Sequence, residues 1–436
     1  MLAKIKPFLP RPLFTPYHFT RALLAVLRYG YPARGLTVVG VTGTDGKTTT
    51  SHIIYTILRR AGLPVSLIST TGAVIHGREN VPLGLHVTTP NPFELQNFLK
   101  EARNSGSQYV VLESTSHGLA QYRVWGSNFQ IGVVTNVTHE HLDYHGTYER
   151  YLLDKARLLR GVKVSVLNRD DGSYERLKPL AAGKILTYGL SPQAEITATE
   201  VSHTPGGMQF TIPKIGRRIQ TRFLGEYNLQ NMLAATAVAL SLGLQPEAIA
   251  AGLEEATPPP GRLQPVDLGQ PFSVFVDFAH TPNSLENVLK LLRGITPRKL
   301  IAVFGSAGER DPGKRFPMGA SAGRYCDYTV ITAEDPRSES LEQIMEQIAA
   351  GVESQGGARN QSYFCIPDRQ QAINFAIREL AQPGDVVVTC GKAHEQSMCF
   401  GNTEYPWDEF QAVQHALGAA GVAPVVLPTG GARSRE

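Results

Sequence analysis

GVTGTDGKTTTSHII, residues 40–54, decides how the rest of the chain is read. It stands between an apolar stretch, Leu36 to Val41, that suits a buried strand, and an apolar-periodic run that suits a helix. A strand that enters a glycine-rich turn and leaves as a helix can close backbone N–H groups around phosphate oxygens, and the helix N-terminus adds partial positive charge. The full Walker pattern needs a glycine five positions before Gly46, where this chain has Val41. The match is to a shorter form, Gly43-Thr44-Asp45-Gly46-Lys47-Thr48-Thr49. Lys47 suits the β- and γ-phosphates of a nucleotide, and a threonine hydroxyl suits Mg²⁺. The stretch predicts a nucleotide site.

Working outward, apolar strands alternate with amphipathic helices. Strands are expected at 36–41, 109–113, 131–137 and 163–167, and helices at 47–61, 92–104 and 148–160. Such alternation predicts a parallel sheet covered by helices. Residues 193–224 break the rhythm with period-two alternation around Gly206-Gly207, which predicts a small antiparallel flap. ATPPPGR (256–262) cannot continue a helix and reads as a linker. Beyond it, strands are expected at 273–277, 300–304, 328–332, 362–366 and 386–389. The fold class is α/β: a P-loop central domain with a small antiparallel flap, followed by a Rossmann-like C-terminal domain. The expected divisions are 1–35 (a short N-terminal segment), 36–257, 258–429 and a tail at 430–436.

The 436 residues carry a net charge of +4, with no dense basic run of the kind nucleic-acid binders use. No apolar run approaches the ~18 residues that span a bilayer. The N-terminus begins basic, but prolines interrupt it and no signal-peptide pattern follows. Residues 17–29 read as an amphipathic docking helix rather than a membrane-surface anchor. Cys326, Cys365, Cys390 and Cys399 lack CxxC spacing and read as buried free thiols of a reducing compartment.

A P-loop alone is compatible with kinases, GTPases, motors and ligases, so the choice lies downstream. VVLESTSHG puts Glu113 at the C-terminal end of a strand, where open parallel sheets bind ligands. TNVTHEHLDYHG does the same with Asn136, His141, Asp143 and His145. A carboxylate and an imidazole at adjacent strand ends could hold a divalent cation near the P-loop. Each could equally be a satisfied loop residue.

TGTDGKTT, HVTTPNPFELQ, ESTSHGLAQYRV, TNVTHEHLDYHGTYERYLLDKARLL, LGEYNLQN, GRLQ, VDFAHTPNSLENVL, FGSAGERDPGKRFPMG, EDPRSE and GKAHE follow one another in that order. Together they resemble the Mur ligase family, and within it the tripeptide-synthetase type, over roughly residues 36–420. The resemblance implies an ATP-dependent ligase that phosphorylates a peptide carboxylate and lets an amine attack the acyl phosphate. The implied carrier is UDP-N-acetylmuramoyl-L-alanyl-D-glutamate, and the implied amino acid is a diamino acid. By the same resemblance, Lys47 contacts the ATP phosphates, while Thr48, Glu113 and His141 bind Mg²⁺. Lys155 is a lysine carbamylated by CO₂, and Arg262 reaches the γ-phosphate. Asn228, Asp277 and His280 attend the adenosine. Thr88, Thr89, Thr115, Ser116 and Arg123 hold the muramoyl-peptide.

Arg310, Asp335, Arg337, Gly391 and Glu395 form the implied amino-acid pocket. Arg337 favours meso-diaminopimelate, with its second carboxylate. Asp335, where diaminopimelate-adding relatives carry asparagine, adds negative charge and keeps L-lysine open. Gln264 stands where the family usually has glutamate, and Ala393 replaces a usual glycine. The family's uridine-gripping domain takes roughly a hundred residues. About forty precede Gly43 here, so a truncated one is expected. A cytoplasmic monomer without nucleic-acid partners completes the expectation. Two other readings stand beside it: a ligase of the same fold on a folate or polyamino-acid carrier, and a nucleotide-binding sensor of cell-wall precursors without turnover.

Overall fold

Strand β1 (Thr37–Thr42) is apolar on both faces: Val39 and Val41 belong to one core cluster and Val38 to another, all fully buried. A strand buried on both sides belongs inside a helix-covered parallel sheet, and β1 lies within one of eight strands. The computed structural model describes residues 15–76, 78–81, 88–138, 140, 142–204 and 207–418. His141 and the 430–436 tail lie outside the described residues, as does the chain before Thr15. The chain divides into two compact units, 1–257 and 258–436.

In the first unit the strands are β2 (Val65–Ser69), β3 (Gly72–Ile75), β4 (Arg78–Val81), β5 (Tyr109–Glu113), β6 (Phe129–Val134), β7 (Val164–Asn168) and β8 (Lys184–Tyr188). Their order is β4-β3-β2-β5-β1-β6-β7-β8, parallel from β2 to β8 with β3 and β4 as an antiparallel edge. The chain passes from β5 to β6 across β1, so the sheet reverses its direction of growth there. Ligands of open parallel sheets bind at such a point. The register sets Val41 against Glu113 and Thr42 against Val134, which aligns three strand ends.

Helix α1 (Thr15–Tyr29) buries Ala22, Ala25 and Val26, and its Phe19 ring meets Trp125 edge-on at 5.1 Å; it docks on this unit as expected. Helix α2 (Lys47–Arg60) follows the phosphate loop. Helix α3 (Pro92–Asn104) has the expected bounds because Asn91 and Glu94 form a capping box and Pro92 opens the first turn. After α4 (Ser116–Ala120), the helix expected at 148–160 is α5 (Tyr148–Ala156), whose final turn tightens to 3₁₀ geometry over Arg157–Leu159. The strand expected at 131–137 ends at Val134, because Thr135 and Asn136 turn toward the phosphate loop. The flap is a three-stranded antiparallel sheet of β9 (Thr199–Thr204), β10 (Gly207–Ile212) and β11 (Arg217–Thr221). Its Met208, Phe210 and Ile219 share a core with α6 (Glu226–Ser241), a helix buried on nearly all sides.

The second unit has strands β12 (Gln264–Pro265), β13 (Ser273–Asp277), β14 (Leu300–Phe304), β15 (Tyr328–Ile331), β16 (Tyr363–Cys365) and β17 (Val386–Cys390). Their order is β12-β13-β17-β14-β15-β16, parallel except for β12. Helices α7 (Pro282–Ile295), α8 (Arg369–Phe375) and α9 (Glu409–Ala416) and a hairpin of β18 (Ser397–Phe400) and β19 (Thr403–Pro406) complete what bears on the site. All four cysteines are free; only Cys390 is fully buried, and the others are half-buried. Among the described residues, no helix is long and apolar enough to cross a membrane.

Candidate functional site

The phosphate loop is held from three sides. Gly46 caps α2 in a left-handed conformation (φ 80°) and brings no side chain to the first-turn amides, which face the loop. A Cβ at Gly46 would lie 2.4 Å from Asn231 Oδ1 on α6, and one at Gly43 would lie 1.7 Å from Thr135 Oγ1. Only glycine fits at either place. Asn136 Oδ1 accepts the N–H groups of Thr44 (3.1 Å) and Asp45 (2.9 Å). The residue that the sequence singled out at a strand end therefore clamps the loop. Lys47 Nζ donates to the carbonyls of Gly43 (3.1 Å) and Thr44 (2.7 Å). Thr48 and Thr49 are buried in the first turn of α2.

Glu113, fully buried at the end of β5, accepts at Oε1 from the hydroxyls of Thr48 and Thr70, both at 3.0 Å, and at Oε2 from the Thr70 N–H at 3.0 Å. This donor set is a carboxylate and two hydroxyls, all oxygen, which fits Mg²⁺. Thr70, in the β2–β3 turn, carries no signal in the sequence and was missed. His141 lies outside the described residues. Among the described residues, no three His, Cys, Asp or Glu side chains gather in the manner of a preformed metal site.

Lys155, on α5, is buried and donates to Gly43 O at 2.5 Å, with its ammonium 4.4 Å from the Tyr151 ring centroid. Burial, reinforced by the Lys47 cation, holds its pKa well below the ordinary lysine value. The lysine named from the resemblance thus abuts the phosphate loop.

Thr89, Thr115 and Arg123 come together. Thr89 Oγ1 accepts the Thr115 N–H (2.9 Å), and Arg123 Nη1 donates to Thr89 O (3.0 Å). Gln121, which sequence reading passed over, receives Arg123 Nε and Nη2 at 3.0 and 2.7 Å. Thr88 adjoins them, half-buried. Ser116 Oγ lies 3.0 Å from His145 Nε2, whose Nδ1 lies 2.9 Å from Asp154. With Nδ1–H given to that carboxylate, Nε2 accepts and Ser116 is the donor to it. Asn228 Nδ2 donates to Leu224 O (2.8 Å), and its Oδ1 accepts from Asn231 (3.3 Å).

In the second unit, Asp277 ends β13 and accepts the N–H groups of Leu263 (2.6 Å) and Ala279 (2.7 Å), fastening the Arg262 stretch to the sheet. The Arg262 guanidinium lies 4.9 Å from the Phe278 ring centroid, and Phe278 also packs on His280. Lys392, fully buried, donates to Asp335 Oδ1 (2.9 Å) and Glu395 Oε2 (2.6 Å), and Asp335 Oδ1 also accepts the Cys399 N–H. Those carboxylates raise the Lys392 pKa against the opposing effect of burial, which is the largest single influence on it. The charge that Asp335 adds therefore meets an internal cation. Gly391 (φ 106°) approaches Glu334 so closely that a Cβ would lie 2.6 Å from its Oε2. Arg337, with positive φ, is pinned through its backbone to Cys399 and Gly401 of the hairpin. Arg310 is exposed.

Models of two domains match the chain: the Mur ligase middle domain over residues 41–239, and the Mur ligase glutamate ligase domain over residues 261–393. The UDP-N-acetylmuramoyl-L-alanyl-D-glutamate–2,6-diaminopimelate ligase of Geobacillus thermodenitrificans (strain NG80-2) is 41% identical over 407 residues, covering 91% of this chain and 82% of that protein. The UDP-N-acetylmuramyl-tripeptide synthetase of Roseiflexus sp. (strain RS-1) is 40% identical over 420 residues, covering 92% and 82%. A solved UDP-N-acetylmuramoyl-L-alanyl-D-glutamate–2,6-diaminopimelate ligase superposes with a TM-score of 0.60 at 33% identity, over 88% of this chain and 78% of that one. Mycobacterium tuberculosis folylpolyglutamate synthase superposes at 0.71 with 18% identity, over 92% and 95%, a likeness of fold alone. The chain belongs to the Mur ligase family, whose members are ATP-dependent amide ligases. Within the family, it is similar to the diaminopimelate-adding branch over most of its length.

Proposed function

We propose that this chain joins meso-diaminopimelate, in preference to L-lysine, to UDP-N-acetylmuramoyl-L-alanyl-D-glutamate in peptidoglycan precursor synthesis, with ATP converted to ADP and phosphate. The observation that carries this reading is the phosphate loop with a buried, depressed-pKa lysine against it, in a chain 41% identical to a diaminopimelate ligase. The peptide's terminal carboxylate attacks the γ-phosphorus and expels ADP, giving an acyl phosphate. The amino group of the incoming amino acid then adds to the acyl carbon, and collapse of the tetrahedral species expels phosphate.

Lys47 and the amides of the loop bind and orient the ATP phosphates. Thr48, Glu113, His141 and a carbamylated Lys155 would hold Mg²⁺, which supplies charge neutralisation at the phosphates when bound. Carbamylation needs the neutral amine, and the depressed pKa of Lys155 supports it; the amine adds to CO₂ and loses a proton to give a carbamate anion. Arg262 steadies the γ-phosphate, and Asn228, Asp277 and His280 serve the adenosine. Thr88, Thr89, Thr115, Ser116 and Arg123 bind the muramoyl-peptide.

Arg310 and Arg337 receive the far carboxylate of the amino acid, and Asp335, Gly391 and Glu395 shape its pocket. The offset of Asp335 and Glu395 by Lys392 weakens the attraction that would favour a lysine side chain, which supports diaminopimelate. The protein works as a cytoplasmic monomer, where ATP and UDP-linked precursors are at hand. The test is phosphate release with the UDP-muramoyl-dipeptide, adding meso-diaminopimelate or L-lysine in parallel, with product masses. Release that needs both the dipeptide and diaminopimelate is expected. No release with either amino acid, from folded protein that binds ATP, overturns the reading.

A further inference from the structure

Beside the Arg310 stretch after β14, two loops carry the proposed amino-acid pocket: 332–337, after β15, and 391–395, after β17. Strand β14 lies between β15 and β17, so no sheet hydrogen bond can tie these loops to each other. A buried guanidinium does. Arg369, the first residue of α8, is fully buried, and its fork grips Glu409, the equally buried first residue of α9. Arg369 Nε donates to Glu409 Oε2 at 2.9 Å and Nη2 to Oε1 at 2.6 Å. Trp407 Nε1 donates to the same Oε2 at 2.8 Å.

The rest of the guanidinium faces the two loops. Nη1 donates to Ala333 O at 3.1 Å and Nη2 to Cys390 O at 2.8 Å. Both carbonyls belong to fully buried residues, Ala333 two residues past β15 and Cys390 at the last position of β17, where a buried oxygen needs a partner. Ala333 stands two residues before Asp335, and Cys390 directly before Gly391. A second tier repeats the tie one step further on, where Lys392 bridges Asp335 and Glu395.

We propose that Arg369 is a positioning residue for the amino-acid substrate: by bonding the Ala333 carbonyl within one loop and the Cys390 carbonyl at the root of the other, it sets the separation between the Arg337 side of the pocket and the Glu395 side. The proposal rests on the pocket assignment of the preceding section. Glu409 aims the fork, and the planar guanidinium spans all four bonds at once. A lysine ammonium keeps the charge but cannot span them.

The experiment uses the full chain, as wild type, Arg369→Lys and Glu409→Gln, with two readouts. The first is hydrogen exchange at the N–H groups of Gly391, Glu395 and Cys399, which bond to Asp277 O, Lys392 O and Asp335 Oδ1, against that of the amides of β13 and β14. In Arg369→Lys these three pocket amides are expected to exchange at least tenfold faster while the amides of β13 and β14 hold their rates. The second readout is kinetic. The KM for meso-diaminopimelate is expected to rise at least tenfold, with the KM for ATP within twofold of wild type. Glu409→Gln, which keeps both carbonyl bonds, gives the same pattern more weakly, and it decides the matter if Arg369→Lys does not fold. Loop and strand amides accelerating together, or unchanged loop exchange and unchanged KM for the amino acid, overturns the proposal. If wild type does not ligate, the pocket assignment fails on its own, and exchange still decides whether Arg369 ties the loops.

Discussion

Two lysines of this chain are equally inaccessible and electrically opposite. Lys155 in the first unit is 1% exposed and Lys392 in the second is 0% exposed. Burial penalises both cations, yet Lys155 is driven well below the ordinary pKa and Lys392 is lifted above it. The surroundings decide. Lys155 meets a carbonyl and an aromatic ring; the Lys47 cation repels it, and the carboxylates of Glu140, Asp45 and Asp171 offset burial only in part. Lys392 lies between two carboxylates. The first lysine is pushed toward the neutral amine, while the second is held as a cation by its carboxylate partners. One suits chemistry, the other suits architecture.

The sharpest way to break this contrast is Lys155→Met. Ligase turnover should fall on the order of 10³-fold or more, as when a group central to charge stabilisation is lost. ¹³C-bicarbonate should label a carbamate carbon, seen by NMR, in wild type and not in the variant. Full turnover, or no label in wild type, would unseat the proposed role. Lys392→Met tests the other half by thermal or denaturant unfolding. Stripping the counter-ion from Asp335 and Glu395 should cost ~3–5 kcal/mol. The same unfolding measurement on Lys155→Met should show only ~1–2 kcal/mol, the cost of one lost hydrogen bond.

A third test concerns Glu334, whose carboxyl is buried near the second lysine. Burial raises its pKa to about 7, resisted by Lys314, Arg369 and Lys392 and assisted by Asp335. Between the ordinary carboxylate value and about 7, the folded chain holds a proton that the unfolded chain has released. Stability from this group is therefore lost as pH rises through that window. Glu334→Gln removes the loss, so its advantage over wild type should grow with pH and level off above neutrality, at on the order of 3 kcal/mol. A pH-independent difference between the two unfolding profiles would refute it. The smallest effect is expected from Ala393→Gly beside Lys392. Ala393 sits at φ 40°, and relief of left-handed strain should gain up to ~1 kcal/mol in an unfolding midpoint.

The contrast also marks what the sequence made legible. The loop from Gly43 to Thr49 could be read because its chemistry is contiguous, and Glu113 because a strand end announces itself. Strand β2, the antiparallel pair β3 and β4, and strand β8 went unread. Asp335 was read as bare negative charge because its partner lies 57 positions away. Arg369 and Glu409 stand 40 residues apart, and nothing local in either segment hints at the fork between them. Asn136 was noticed at its strand end, but its work on the Thr44 and Asp45 amides depends on the register that sets β6 beside β1. Sequence shows donors readily and the distant groups that occupy them poorly.

The two carbonyl bonds of Lys47 carry a thermodynamic consequence. Its ammonium rests on Gly43 O and Thr44 O, so the loop is cross-braced by the side chain a phosphate would want. A triphosphate that recruits this cation takes it from partners it already has, and the enthalpy of binding records an exchange of bonds rather than their addition. Calorimetric heats for nucleotides will then run below what a count of phosphate contacts suggests. Shortening Lys47 will also remove its brace across the loop, so its penalty on affinity will combine a missing contact with a less ordered starting state.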